Sequence, residues 1–532
     1  MSGSAPAKVP NRALITGAAM TATLMQVLDS NMANVALPYM QGALSASSVE
    51  VTWVLTSYVM AAAIMTAPVG WLAVRYGRKN LFIACLAGFT GFSMLAGGAH
   101  TLEQMVAFRV LQGVCGAALV PLSQATMLDI YPFEQRAHAM AIFGIGVMLG
   151  PILGPTLGGY LTEIYNWRYV FYVNLPLGIL AITGLLLFMP RTPVRDDLRF
   201  DWTGFAVLAL GIGSLQLMLD RGSGEDWFTS REIVIEAVLA GLGLYLFGVH
   251  MMTAEKPFVS PAVFADRNFI TCVVLMLFGG SILMASSTLL SPYLQKLAGY
   301  PVASAGLIMA PRGFGVMAGM IFASRSGGRL DQRKIMGFGL TGIAISMVEM
   351  SMWTPDVAAR TVSLTVLAQG FCIGCFFNPM TVMAFITLPA SLRGDGTALH
   401  ALARNMGAAV GISITTFTLA HNIQELHEEI GGIITPFHRA LADNLSLVQW
   451  LNPATAQGAR LLDSMVQREA QIIAYSNDFR LLAFSAIPPM ILLFLLRRAP
   501  PAGAVQAASP APVTGAPPVE AVIGKARPSA AE

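Results

Sequence analysis

Charge is scarce in this chain. Asp, Glu, Lys and Arg make up 11% of its 532 residues, against roughly 25% in soluble domains. A soluble protein of this length would divide into several domains with charged surfaces, and there are too few charges here to coat them. Cysteine is scarce as well, and five in the whole chain exclude a disulfide framework. No block of Lys or Arg marks a nucleic-acid surface, and the net charge of +3 is near balance for this size, so no nucleic-acid partner is expected. There is no phosphate-cradling Walker loop, dinucleotide fingerprint or nucleophile elbow. No enzymatic activity, ATP hydrolysis or cofactor is therefore expected. Cys372-Ile373-Gly374-Cys375 is a CxxC pair in an apolar run, with no second pair or histidine beside it. Neither that pair nor the polar cluster of His421, Glu425, His427, Glu428, Glu429 and His438 is expected to hold a metal.

Apolar residues are plentiful: 55% of the chain, about 293 side chains, with a mean hydropathy of +0.63. They match about fourteen spans of roughly 20 residues, which predicts an all-α polytopic membrane protein. The first apolar stretch is long, lacks an A-x-A end, carries Asp29 and is followed by many more spans, so it is not read as a cleaved signal. Spans are predicted near 14–37, 51–73, 81–99, 104–128, 138–162, 169–189, 203–219, 231–252, 269–290, 303–323, 335–352, 361–387, 398–420 and 479–496. An even number puts both termini on one side. The loops on that side carry 20 Lys and Arg, against eight on the other; the bias predicts cytoplasmic termini. Residues 498–532, rich in Pro and Ala, are expected to be a disordered tail. In 421–478, apolar residues at helical spacing (Leu441, Leu445, Val448; Leu461, Leu462, Met465, Val466) predict amphipathic helices outside the cytoplasm.

The chain echoes itself. Gln112-Gly113 with Cys115 recurs as Gln369-Gly370 with Cys372, 257 residues later, and Gly150 and Gly154 recur as Gly407 and Gly411 at the same offset. Arg78-Lys79 recurs as Arg333-Lys334, 255 residues on. Repeated halves around a midplane site are a signature of secondary transporters. The expected division is a cytoplasmic segment 1–13, a six-helix half 14–189, a linker with two inserted spans 190–267, a second six-helix half 268–497, and the tail.

Few ionisable residues sit deep in the spans, where each is costly. Asp29 lies in span 1, and burial of a carboxyl disfavours its charged form, which suits it to take up and release a proton. Arg109 in span 4 cannot lose its charge, so it needs a partner, a carbonyl cluster or a wet cavity. Arg312 and Arg404 are weaker candidates, and Arg404 is close enough to a span end to snorkel. In span 5, Gly146, Gly150, Pro151, Gly154, Pro155, Gly158 and Gly159 predict one nearly side-chain-free face for close helix approach, kinked by the prolines.

These motifs resemble the major facilitator superfamily. Gly70-Trp71-Leu72-Ala73-Val74-Arg75-Tyr76-Gly77-Arg78-Lys79 is similar to its signature loop, Arg109-Val110-Leu111-Gln112-Gly113 to its span 4 motif, and Gly150 to Gly159 to the antiporter motif of exporters. Leu28 to Pro38, Trp53 to Tyr58, and Gly211 to Gly222 with Asp226-Trp227-Phe228 resemble the fourteen-span drug:proton antiporters, the EmrB type above all. The resemblance implies two six-helix halves with two inserted helices, in a bacterial inner membrane. It implies export of amphipathic, lipophilic toxic compounds in exchange for protons, driven by the gradient with no cofactor. It further implies a periplasmic adaptor (EmrA-like) and an outer-membrane channel as partners, with a specific metabolite such as a siderophore or fatty acid as the alternative cargo. Carried over, Asp29 and Arg109 fall on the coupling positions, Gly150, Pro151, Gly154, Pro155, Gly158 and Gly159 on the antiporter hinge, and Gly70, Arg75, Gly77, Arg78 and Lys79 on a cytoplasmic gate. An inward-facing cavity between spans 1, 2, 4, 5 and their repeat mates is expected, with Asn34, Trp53, Gln112, Arg312 and Arg404 as polar candidates. The gate loop departs from the family at Val74, where an acid is usual; Asp331 is a candidate substitute.

Overall fold

In hydrocarbon a backbone must satisfy its own hydrogen bonds, and a helix does so within one segment. The structure, a computed structural model, describes residues 11–47, 50–132, 135–192, 194, 200–222, 224–225, 227–254, 257, 259–326, 330–389, 392–433 and 455–497. For Met148, Pro151, Ile152, Pro155, Thr156, Val302 and Ala303 it describes the backbone alone. The predicted tail, Leu441, Leu445, Val448, His438 and Asp226 lie outside the described residues. Among those described, the secondary structure is helical, with no strand.

Each predicted span falls on a helix. The helices are α1 (Arg12–Ala43), α2 (Trp53–Thr66), α3 (Val69–Arg75), α4 (Arg78–Gly97), α5 (Leu102–Gly116), α6 (Leu119–Ile130), α7 (Arg136–Ile164), α8 (Tyr169–Tyr172), α9 (Asn174–Phe188), α10 (Trp202–Arg221) and α11 (Arg231–Thr253). They continue with α12 (Ala262–Ala265), α13 (Arg267–Pro292), α14 (Val302–Met309), α15 (Pro311–Ser326), α16 (Gln332–Met350), α17 (Ala359–Ile386), α18 (Arg393–Ile433), α19 (Ala456–Phe484) and α20 (Ile487–Leu492). Among the described residues, nine helical segments are long and apolar enough to cross a membrane, and α2–α3, bent by 57°, makes a tenth. The bend falls at Pro68, which has no N–H to continue the ladder. The other four predicted spans lie on α1, α7, α16 and α18. Several helix starts are marked by side chains that satisfy free N–H groups: Asp201 accepts from Gly204 N at 2.8 Å and Asp266 from Asn268 N at 2.9 Å.

The sequence repeat becomes a repeat of helix pairs. α1 packs on α7 as α13 packs on α18, α2 on α5 as α15 on α17, and α4 on α5 and α9 as α16 on α17 and α19. Burying apolar surface gains little between helices in lipid, so close approach of backbones supplies the attraction, and small residues permit it. Gly113 of α5 faces the backbone of Tyr58 in α2, and Gly370 of α17 faces that of Arg312 in α15. Gly150 and Gly154 lie against α1, Gly407 and Gly411 against Leu277 and Ser281 of α13. The repeats meet where α7 touches α14, α15 and α17, and where α18 touches α3 and α6; α10 and α11 pack together, with α10 reaching α2 and α18.

Between spans 13 and 14 the structure departs from the sequence reading. The described parts of 421–478 are not separate amphipathic helices: α18 runs on to Ile433, and α19 starts at Ala456, 23 residues ahead of the predicted span. At 41 residues, α18 extends about 62 Å, twice the hydrocarbon thickness of roughly 30 Å. The helices are cross-linked along the extension by His427 Nε2 to Asp463 Oδ1 at 3.0 Å and by Asn422 Nδ2, which donates to Asp478 Oδ1 at 3.3 Å. Val466 is buried between them, while Leu461 and Met465 face outward. A span pattern read from hydropathy stops where polar residues begin, whereas two paired helices continue past the apolar layer.

Candidate functional site

The centre of the first repeat is a buried polar network. Asp29 of α1 and Arg109 of α5 are both fully buried. Arg109 Nη1 donates to Asp29 Oδ2 at 2.6 Å, while Gln112 Nε2 and Asn174 Nδ2 donate to Asp29 Oδ1 at 2.9 and 2.7 Å. Arg109 Nη1 also reaches Gln112 Oε1 at 2.8 Å, and its Nε donates to the carbonyl of Val54 at 3.0 Å. The guanidinium lies over the Tyr58 ring, 4.1 Å from its centroid, which adds a cation–π contact. Asn174 Nδ2 continues to Ser93 Oγ at 2.9 Å. A lone carboxylate or guanidinium at this depth is prohibitive; paired and multiply hydrogen-bonded, both are tolerated. Sequence reasoning missed Asn174, Ser93 and Tyr58. An asparagine opening α9, otherwise almost wholly apolar, was the available signal.

α7 connects this network to the rest of the molecule. Gly146, Gly150, Gly154 and Gly158 recur every four residues, one face of the helix, and lie against Met20, Val27, Asn31 and Met32 of α1. Val27 and Asn31 flank Asp29 by two residues on each side. A Cβ at Gly154 would stand 2.5 Å from that of Asn31. Gly159 is not on this face, since a Cβ there would meet nothing within 4 Å, which removes it from the predicted side-chain-free contact face. The side chains of Pro151 and Pro155 lie outside those described.

A different face of α7 lines a cavity between the repeats. Its walls come from α6, α7, α13, α15, α17 and α18, and include Gln124, Phe143, Met320, Asn378, His400 and Arg404. Of the five predicted cavity residues, only Arg404 lines it. Gln112 belongs to the Asp29 network. Arg312 is buried against α13, where Nη1 and Nη2 donate to Ser287 Oγ at 2.8 Å and Ser286 Oγ at 2.6 Å. Asn34 is exposed on α1, and Trp53 is half-buried with Arg221 5.7 Å from its ring centroid. Arg221 is also bound to Glu232 at 2.5 Å, and Thr56 donates to Asp220, so the Asp220-Arg221 motif fastens α10 to α2 and α11.

At the end of the bundle bearing the arginine-rich loops, the signature loop 70–79 of the first repeat meets α18 of the second. Gly77 joins α3 to α4 at φ 80°, a left-handed conformation that glycine adopts without strain. Lys79 Nζ donates to the carbonyls of Leu186 and Met189 at 2.8 and 2.6 Å, closing the C-terminus of α9. Arg75 is half-buried in the last turn of α3. Arg78 is ion-paired with Asp129 at the end of α6, which also holds Arg393 of α18 at 3.4 Å. Gly70 lies under Asp395 of α18; a Cβ there would come within 2.9 Å of the Asp395 Cα. Ser260 N donates to Asp395 Oδ2 at 3.3 Å. Asp331, the candidate substitute for the missing acid at Val74, caps α16 and pairs with Arg333 in the first turn of that helix at 3.0 Å. The acids that reach the seam are Asp129 and Asp395, which proximity in sequence does not reveal. With the repeats touching here, this end is joined rather than parted as an inward-facing cavity requires.

A family model described as Major Facilitator Superfamily matches residues 19–412. The chain is 33% identical over 473 residues to the multidrug export protein EmrB of Escherichia coli (strain K12), covering 88% of this chain and 91% of that protein. It is 31% identical over 477 residues to the fatty acid resistance protein FarB of Neisseria gonorrhoeae, covering 89% and 94%. Its fold is similar to the inward-facing, unoccupied crystal structure of a bacterial homolog of the human lysosomal transporter Spinster, with a TM-score of 0.55 at 16% identity over 92% of this chain and 98% of that one; at such identity the likeness concerns the fold alone. The repeated helix pairs, the signature loop at their seam and the buried charges of the first repeat agree with these matches: this chain is a multi-pass membrane protein of the Major Facilitator Superfamily, with EmrB among its relatives.

Proposed function

We propose that this protein exports amphipathic toxic compounds across the bacterial inner membrane, driven by the proton gradient and working by alternating access. The observation that carries the reading is α7, which joins two functions in one helix. Its glycine face packs on α1 beside Asp29, and another face lines the central cavity. Occupancy of the cavity and the state of the carboxyl therefore act on the same contact. Three donors meet the Asp29 oxygens, and motion of α1 or α5 would withdraw them. Return to the other state requires parting Asp129 from Arg393 and Gly70 from Asp395. Each proton entering with its charge contributes about 2.3 kcal/mol per 100 mV, enough to sustain a modest gradient of cargo.

The loop charge bias supports cytoplasmic termini. The extension of α18 and α19 then stands outside the cytoplasm, a fitting place for an adaptor, and partnership with an adaptor and outer-membrane channel follows as a proposal. The FarB relative favours a second reading, a dedicated exporter of a metabolite such as a fatty acid. Accumulation of a panel of dyes and lipophilic toxins in pump-deficient cells tests both, with and without an adaptor and an uncoupler. Uncoupler-sensitive efflux of several unrelated compounds is expected, abolished by Asp29→Asn with the protein still in the membrane. Full efflux from Asp29→Asn removes that residue from the mechanism, and efflux of one compound class alone selects the second reading.

A further inference from the structure

Asp478 is a buried acid without a counter-charge, which the exporter reading does not use. It is 1% exposed, on α19, which packs against α13, α16, α18 and the π-turn Tyr293–Leu297 that follows α13. Asn422 Nδ2 donates to its Oδ1 at 3.3 Å, and Oδ2 has no hydrogen-bond partner among the described residues. Asp29, by comparison, receives three donors, one of them from a guanidinium. The charged groups around Asp478 are engaged or turned away. On α18, His427 is bound to Asp463 of α19 at 3.0 Å, while His421 and Glu425 are exposed. On α16, Glu349 accepts from Thr365 Oγ1 at 2.6 Å. On the π-turn, Lys296 is exposed, and Tyr293 gives its hydroxyl to the carbonyl of Thr354 at 3.1 Å. The charged residue of α13 is Arg267, at the opposite end of that helix. On α19 itself, Arg468, Glu469 and Arg480 are exposed, and the buried Tyr475 adds a neutral phenol.

These surroundings suit a carboxylic acid better than a carboxylate. A carboxylate only accepts, and a buried one needs donors or a cation on both oxygens. Here Oδ1 has one neutral donor. The second polar side chain within reach, Thr418, has spent its hydroxyl on the Thr415 carbonyl at 3.2 Å. Thr418 Oγ1 therefore offers lone pairs, which repel an anion and accept from an O–H on Oδ2. A sodium ion would need several converging oxygens, and Asn422 presents its nitrogen. We infer that Asp478 is a proton-binding site, filled in this state, whose proton holds α18 to α19. The proton comes from water and returns to water when the helices part, leaving an ion with no counter-charge at the contact. Occupancy is thus high at low pH and lost as pH rises. Because α18 runs unbroken from the Asp395 seam to Asn422, the site bears on a helix that must move in transport. The compartment that supplies the proton, outside the cytoplasm, rests on the exporter reading; binding itself does not.

Infrared difference spectroscopy of the purified full chain in nanodiscs reads the proton. A carboxylic-acid C=O band is expected at pH 7, absent from Asp478→Asn and lost from the wild type as pH rises. Asn422→Leu removes the one donor to the anion, so its band should persist to a pH about one unit higher; this arm also serves if Asp478→Asn does not fold. Packing is read by spin labels at Glu429→Cys and Arg460→Cys, both exposed, in a His427→Gln background that removes the other titrating contact. The labels should move apart between pH 5 and pH 9, and Asp478→Asn, which keeps the shape of the acid, should hold them at the pH 5 distance throughout. Absence of an Asp478 band at pH 7, a separation unchanged by Asp478→Asn, or one driven by sodium at fixed pH overturns the site. Gradient-driven efflux from liposomes without the band overturns the site and leaves the exporter reading standing. The band and its pH response without gradient-driven efflux of any compound do the reverse.

Discussion

The two repeats share a helix plan and differ at their polar centres. In the first, α1 supplies Asp29 and α5 supplies Arg109, and the two charges neutralise each other. The residue 257 positions after Asp29 is Ser286 of α13, and that after Arg109 is Val366 of α17. The buried cation of the second repeat comes instead from α15: Arg312, whose partners Ser286 and Ser287 are hydroxyls. Gln369, the mate of Gln112, reaches only the sulfurs of Met347 and Met350 at 3.6 and 4.0 Å. One centre thus holds a neutralised ion pair, and the other is a cation in neutral surroundings. The same scaffold thus carries a balanced pair of charges in one repeat and an unbalanced cation in the other.

The largest expected effect breaks the first centre. Arg109→Met leaves Asp29 buried without its counter-charge and should cost about 3–5 kcal/mol, read as a lowered midpoint of thermal unfolding in detergent. Asp29→Asn with Arg109→Gln together should regain most of that stability and none of the gradient-driven efflux. Gly150→Val, which drives a side chain into Val27, should cost about 1–3 kcal/mol and impair efflux at unchanged expression. Arg312→Met sharpens the contrast between repeats: with no acid left behind, it should cost under about 2 kcal/mol. A loss equal to that of Arg109→Met would show that Arg312 has an ionic partner after all.

Asp395, in the first turn of α18 ahead of the span 398–420, yields a smaller effect. Burial against α3 pushes its carboxyl up to about 6, opposed by the Ser260 N–H. When the seam parts and water reaches it, the carboxyl returns toward its ordinary range near 4. The closed seam thus holds a proton that the open one has lost, so closure is favoured as pH falls through about 6 and that advantage is lost as pH rises. Labelling of Ala401→Cys, in the cavity wall, from the arginine-rich end should be slower at pH 5 than at pH 8. Asp395→Asn should abolish the difference. The smallest effect is reserved for Gly159→Ala, within about 0.5 kcal/mol, since that glycine faces open space. A large loss there would restore it to the packing face.

Much of the site was legible. Asp29 and Arg109 stand out because an ionised group in an apolar run needs a reason to be there, and glycines at four-residue spacing declare a contact face whatever lies opposite. Gly159 shows the limit of that argument, since one residue of offset turns it about 100° around the helix. Asn174 and Ser93 were obscured because a single amide or hydroxyl hardly changes a hydropathy profile. Asp129, Arg393 and Asp395 sit at helix ends, where charged residues are ordinary, and nothing local tells a contact between repeats from a solvated terminus.

The sequence by itself determined that the chain lives in a membrane, where its helices lie, that its plan is repeated, and that span 1 and span 4 bury opposite charges. These follow from composition and period, properties each segment has alone. Only the tertiary structure decided that Arg109 is bound to Asp29 rather than lining the cavity, that Arg312 has hydroxyls for partners, that Arg404, His400, Gln124 and Asn378 converge, and that α18 and α19 continue beyond the apolar layer as a pair. Each of these depends on a distance between residues far apart in the chain, and the free energy that sets it, desolvation against pairing, exists only once the helices have met.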